Sequence, residues 1–356
     1  MRTYNYLSNE LPRELIEIYS DIEQELLAVI VKELKKGTQP SEVFAKVQDK
    51  IAKYDTRTQK VLAVTMADIK KKAVKEGERD FESHEDENTD NEAVSNKEAN
   101  SLIAPLVVAG MGIIAGLNKR IATNVVNEYI GDYIATNKGQ NERNLNKVFT
   151  RLAGKGVTIY EGMRGGAPKA YSLENIIRRD VMYQVNQANA KINMQNFNQS
   201  SAEFIETSSH PTARTWNKYM KHAYEDHSSW QGKVYYSRNG TPVEGYEEFE
   251  STCGYGELLG ICGINCYHQF KMNYTGDSAY NQYDQAEVKK QYALSQQQRG
   301  YERSIRKLKN ARAVWQEAGD LEKAKKYNIG VRNATRQLKD FCEKNKLKYY
   351  NWRTQI

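Results

Sequence analysis

The sequence predicts a predominantly helical α+β protein, with a helical N-terminal module, a small central α+β domain with short strands, and a C-terminal helical hairpin. Three observations carry that expectation. Apolar residues recur at helical spacing in residues 11–36 and again in 284–350, and short alternating runs are confined to the middle of the chain. Glycines and cysteines crowd into one central segment. At 356 residues and 39% hydrophobic content, the chain is long enough for more than one domain and a sizeable core. The expected divisions are a helical module at 1–75, an acidic linker at 76–100, an apolar helix at 101–136, the central domain at 137–281 and a basic hairpin at 282–356.

Leu11, Leu15, Ile18, Ile22, Leu26 and Val29 fall on one face of a first helix. Pro12 sits near its first turn and Gly37 follows its last, as helix punctuation requires. A second helix is expected from Ser41. A third is expected from Thr56, where Thr56 and Gln59 have capping-box spacing ahead of Leu62, Met66, Ile69 and Ala73. Residues 76–98 then hold ten acidic side chains and almost nothing large and apolar, which predicts a mobile linker or loop.

Residues 102–117, LIAPLVVAGMGIIAGL, form the most apolar run of the chain. Sixteen residues fall short of the roughly 20 that a bilayer-spanning helix needs, so the run reads as a buried helix or one packed between subunits. Gly112 and Gly116 have the spacing that lets helices approach closely. In the central region, residues 155–160 and 202–207 read as strands, and a long helix starts at Ser172, with Ile176, Val181, Val185 and Ile192 set among Asn and Gln.

The tail reads as two helices broken at Gly319, with Asp320 capping the second. Ala324, Tyr327, Val331, Ala334, Leu338 and Phe341 form a heptad seam. The net charge of +7 is uneven: residues 281–356 carry 18 basic and 8 acidic side chains, which leaves the first 280 residues at −3. Lys323, Lys325, Lys326, Arg332, Arg336 and Lys339 are the candidate nucleic-acid-facing residues, against the plainer reading of a solvated helix face.

No opening segment has the layout of a signal peptide, so assembly in a cytoplasm is expected, where thiols stay reduced. Cys253, Cys262, Cys266 and Cys342 are therefore not read as a disulfide framework. Cys262, Cys266 and His268, with His210 and His227 upstream, supply the ligand types of a structural zinc site; the alternative is that the cysteines pack as small hydrophobes. Gly254, Gly256, Gly260 and Gly263 predict successive tight turns with positive φ, and Tyr255, Leu258, Leu259 and Ile261 between them predict a small core. Nothing in the sequence marks His210, His222 or His227 as oriented toward Cys266, which argues against a thiol nucleophile.

Three stretches together resemble a known family. They are Ser208-Ser209-His210-Pro211 with Ala213-Arg214, then His227 with Trp230-Gln231-Gly232-Lys233, and then Gly254-Tyr255-Gly256 running to Asn265-Cys266 and His268. This pattern is similar to the phage minor capsid protein 2 family, allied to Mu protein F-like head morphogenesis proteins. Glu14 to Gly37, and the tail from Arg299 to Asp320, resemble its opening helix and closing hairpin. The resemblance marks Arg214, Trp230, Gln231, Gly232, Gly254, Tyr255, Gly256 and Asn265 as its structural motif. The twelve residues between Arg214 and His227 are an insertion expected to form a loop.

The resemblance implies a structural virion protein present in few copies near the portal vertex, acting in head morphogenesis and in genome packaging or ejection. Its partners would be portal protein and other capsid proteins, with nonspecific packaged DNA alongside; neither a membrane nor a small-molecule substrate is expected. The resemblance assigns no cofactor, and zinc is the one the cluster would take. The rival class is an enzyme carried in the virion, either a zinc-dependent hydrolase or an ADP-ribosyltransferase. Arg164, Thr207-Ser208-Ser209 and Glu248-Phe249-Glu250 are similar to the short polar elements of the latter.

Overall fold

A computed structural model describes residues 11–84, 91–125, 142–161, 169–238 and 240–355. Arg164 and residues 126–136 lie outside that set. The chain divides into two compact units, one built chiefly from Leu62–Met111 and Arg179–Ser295, the other from Arg13–Val61, Gly112–Arg178 and Gln296–Ile356. The architecture is the predominantly helical α+β arrangement that the sequence predicts, with a few short antiparallel strands.

Helix α1 spans Leu11–Lys35 and buries Leu15, Ile18, Ile22 and Leu26 almost completely; its stripe continues through Ile30 instead of Val29, which is half-buried. Gly37, at φ 71°, turns the chain after it. Helix α2 then runs without a break from Pro40 to His84. The expected boundary at Thr56 does not exist. Residues 41–76 contain no Pro or Gly to stop a helix, and Gln59 of the would-be capping pair bonds within it, Nε2 donating to Asp55 (3.0 Å), next to Thr58, whose Oγ1 donates to the Tyr54 carbonyl (2.7 Å). Residues 76–84 are likewise helical where a loop was expected, because Phe81, 6% exposed, anchors that last stretch in the apolar cluster of the first unit.

Helix α3, Asn96–Val125, begins with a capping box: the Glu98 N–H donates to Ser95 Oγ (3.3 Å) and the Ser95 N–H to Glu98 Oε2 (2.9 Å). Only one stripe of it is buried, through Ile103, Ile114, Leu117 and Ile121, while Val108 is 69% exposed. It is thus not the buried helix that its composition suggests. By length and composition it is apolar enough to cross a membrane.

Helix α4 (Glu142–Lys155) leads to the antiparallel pair β1 (Thr158–Glu161) and β2 (Lys169–Ser172), in register Thr158 to Ser172. Helix α5 follows over Leu173–Gln199. A three-stranded antiparallel sheet places β3 (Phe204–Thr207) between β4 (Val234–Tyr236) and β5 (Phe270–Asn273), with Ile205 opposite both Tyr235 and Met272. All four residues of β3 are buried, as a central strand requires. The chain closes with α6 (His227–Trp230) and α7 (Phe249–Cys253) between strands, then α8 (Gln285–Ala318) and α9 (Leu321–Lys344). Asp320 Oδ1 accepts the Lys323 N–H (3.0 Å), capping α9 as expected, and Val331 and Leu338 pack with Ile305 and Cys342.

Candidate functional site

The residues of the Cys/His motif meet in the first unit, around the end of β3 and the turn-rich run between α7 and β5. Helix α7 ends at Gly254, which has φ 64° and lies close against the Tyr224 ring. Gly260 has no positive φ; there, a side chain would overlap the Gly254 carbonyl. The left-handed positions further along are instead Cys262 (φ 57°) and Asn265 (φ 55°). Positive φ was thus expected at four glycines but holds at Gly254 and Gly256; at Gly260 and Gly263 the requirement is close backbone approach, at Gly263 against the Leu258 carbonyl. Ile261 is fully buried and Tyr255 packs on the same cluster, whereas Leu258 and Leu259 are exposed. The tight turn leaves those two on its outer side.

Side chains from elsewhere hold this run by its carbonyls. Arg214 donates from one guanidinium nitrogen to the Leu259 carbonyl (3.1 Å) and from the other to that of Ile264 (2.6 Å). From α5, Asn186 Nδ2 donates to the Cys266 carbonyl (2.8 Å), Gln187 Nε2 to that of Cys262 (3.0 Å) and Asn193 Nδ2 to that of Phe270 (2.7 Å). Asn189 Nδ2 donates to Gln269 Oε1 (2.7 Å), while Asn196 Oδ1 accepts from the Val94 N–H (2.8 Å). Asn186, Asn189, Asn193 and Asn196 are all buried. Sequence reading missed this row. The available signal was the spacing of three, four and three residues, which puts four amides on one helix face.

His227, Cys266 and His268 are buried together at the centre. His227 Nε2 lies 2.9 Å from the Leu259 carbonyl. His268 Nε2 lies 3.0 Å from Gln231 Oε1, which also accepts the His210 N–H at 2.9 Å. Cys266 Sγ is 3.7 Å from His268 Nδ1 and accepts the backbone N–H groups of Cys262 and His268, each at 3.3 Å. Of the five predicted ligands, these three converge. Cys262 turns its sulfur to the His268 carbonyl (3.5 Å) and Gln269 Oε1 (3.8 Å). His210 stacks on His268 with centroids 4.3 Å apart. Trp230, whose Nε1 donates to the Tyr224 carbonyl (2.9 Å), presents a tilted ring to both His227 and His268.

Burial, reinforced by Arg214, depresses His227 to about 3, and burial also holds His268 well below the usual imidazole range. Burial raises Cys266 to about 11 against the pull of its N–H donors, and pushes Cys262 and Cys253 well up. These shifts run opposite to those of a thiolate–imidazolium nucleophile, which needs the thiol lowered. The other polar elements are engaged in local structure. Thr207 Oγ1 donates to backbone carbonyls of Trp230 and Lys233, and Ser209 Oγ donates to that of Asn281 (2.7 Å). Glu250 accepts from Ser237 and Arg238, and Glu248 from Arg238 and Ser251.

On α9, Lys325, Lys326, Arg332, Arg336 and Lys339 are exposed. Lys323 is only partly exposed: its ammonium lies over the Trp315 ring at 3.8 Å and 2.8 Å from Asp320, while that of Lys339 lies 5.6 Å from the centre of the Tyr349 ring.

A small sheet whose connecting turns are pinned by buried amides, a guanidinium and a His/Cys centre, set among long helices, defines a scaffold-bearing α+β protein. The chain belongs to the phage minor capsid protein 2 family, whose model matches residues 5–343, and its class is that of phage structural proteins. It is 33% identical over 94 residues to a structural protein of Lactococcus phage LL-H, an alignment covering 26% of this chain and 25% of that relative. It is 29% identical over 94 residues to a structural protein of Lactococcus phage mv4, covering 26% of this chain and 76% of the relative. The chain thus matches about a quarter of the length of the first of these. No solved structure matches it.

Proposed function

We propose that the chain is a minor virion component, incorporated in few copies near the portal vertex, where it acts in head morphogenesis and in packaging or ejection of the genome. Portal protein and other capsid proteins are its neighbours. The observation that carries this reading is the match of the family model across residues 5–343. Two features support it. The motif residues Arg214, Trp230 and Gln231 are spent on internal bonds to the chain's own backbone, the use expected of a rigid scaffold. The exposed basic side chains of α9 suit packaged DNA through phosphate attraction without base reading. Reconstruction of procapsids without imposed symmetry, with this chain tagged, tests the proposal. Tag density at the unique vertex is expected; tags spread evenly over the shell would contradict it.

A further inference from the structure

We infer that His227, Cys266 and His268 form a zinc site with three protein ligands, two imidazoles and one thiolate. One ligand atom from each residue lies within 4.8 Å of the others, and all three residues are buried. Cys266 Sγ and His268 Nδ1 are 3.7 Å apart. Two such ligands on a tetrahedral zinc, with bonds of about 2.3 and 2.0 Å, stand roughly 3.5 Å apart.

The hydrogen bonds around the cluster set the donors for a metal. A backbone carbonyl can only accept, so the contact with Leu259 places the proton of neutral His227 on Nε2 and leaves a lone pair on Nδ1. The atom of Gln231 facing the His210 N–H must be an oxygen, and that same oxygen faces His268 Nε2. His268 therefore carries its proton on Nε2 as well and turns the Nδ1 lone pair toward Cys266. Metal-binding histidines are held in this way, the outer N–H fixed by a carbonyl or amide oxygen and the inner nitrogen bare. Two backbone N–H groups point at Cys266 Sγ, the support a buried thiolate needs.

Imidazole and thiolate together are a donor set for zinc, where hard cations would ask for carboxylates. On binding, the Cys266 thiol loses its proton to solvent as the Zn–S bond forms, and solvent supplies the fourth ligand. The ion joins α6 to the end of the turn-rich run, since Cys266 lies 39 residues beyond His227 in the chain. Cys262 and His210, which belong to the sequence-level ligand set, are outside this one. The inference does not depend on where in the virion the protein sits.

The test uses the full chain purified after expression with added zinc, with its metal content measured by mass spectrometry. One zinc per chain is expected, retained in Cys262→Ser and lost in Cys266→Ser. Cobalt-loaded wild type should show a thiolate-to-cobalt charge-transfer band that Cys266→Ser lacks. Should Cys266→Ser fail to fold, chelation of the wild type decides: a chelator should lower its Tm and zinc should restore it. Metal content far below one per chain, with a Tm indifferent to chelator and to added zinc, would overturn the site. So would equal loss of zinc from both cysteine variants.

Discussion

Glu33 shows how much one side chain near the protein surface carries. It is 5% exposed at the turn joining α1 and α2, where its carboxylate accepts from Thr38 Oγ1 (2.8 Å) and Lys46 Nζ (2.6 Å). Those bonds, first that from Lys46, hold its pKa down to about 2. A carboxylate lowered in the folded state contributes stability that is full above its unfolded value, about 4.5, and is lost as pH falls toward 2. Half-exposed Lys46 lets solvent screen the pair, so the contribution is on the order of 1–2 kcal/mol. Glu33→Gln should be less stable than wild type to urea at pH 7 by about that much, and the gap should close between pH 4.5 and pH 2. A gap independent of pH would show that the charge contributes nothing. The sequence held no signal for this pair, because its partners come together only through the turn at Gly37. The same holds for the asparagine row of α5: its spacing could be read, but the groups it meets lie between 77 and 102 residues away.

Elements were legible wherever a strong local pattern decided the outcome. The break at Gly319 with its Asp320 cap stands as read, and so do the stripe of α1 and the seam of α9 apart from their last positions, where Ile30 and Cys342 are buried in place of Val29 and Phe341; each depends on residues within a few turns of one another. The failures share a cause in tertiary context. A capping-box spacing at Thr56 starts no helix when nothing before it ends one. The acidic stretch 76–84 stays helical because Phe81 reaches a cluster that also holds Trp230, Phe249 and Phe270, all distant in sequence. Gly77 assists, since a side chain there would meet Asn196. Phe81→Ala should cost about 3–5 kcal/mol and remove hydrogen-exchange protection from the amides of 76–84 before the rest of α2. Unchanged protection there would mean that helix propensity alone holds the segment.

At the scale of the whole molecule, family membership was readable because the Trp230-Gln231-Gly232 and Asn265-Cys266 elements are short, contiguous and chemically distinctive. Which of the five histidine and cysteine candidates converge was not, because the turn conformations at Cys262 and Asn265 decide where each sulfur points. Charge was legible as an imbalance, and the structure separates its users: Lys323 is committed to Trp315 and Asp320, while Lys325, Lys326, Arg332, Arg336 and Lys339 stay exposed. DNA binding by the full chain should therefore be weak, indifferent to sequence and steeply reduced by salt. Charge-neutral replacement at Lys325, Lys326, Arg332, Arg336 and Lys339 should flatten the dependence of log K on log salt, by close to one unit of slope for each phosphate contact removed. An unchanged slope would assign those residues to solvent alone.

Membership of the virion in small numbers is the claim on which the functional reading turns. Quantitative mass spectrometry of purified, DNA-filled particles measures it directly. The chain should be present at a small, fixed ratio to the major shell protein. Its absence from mature particles, or copies equal in number to the shell subunits, would contradict the account.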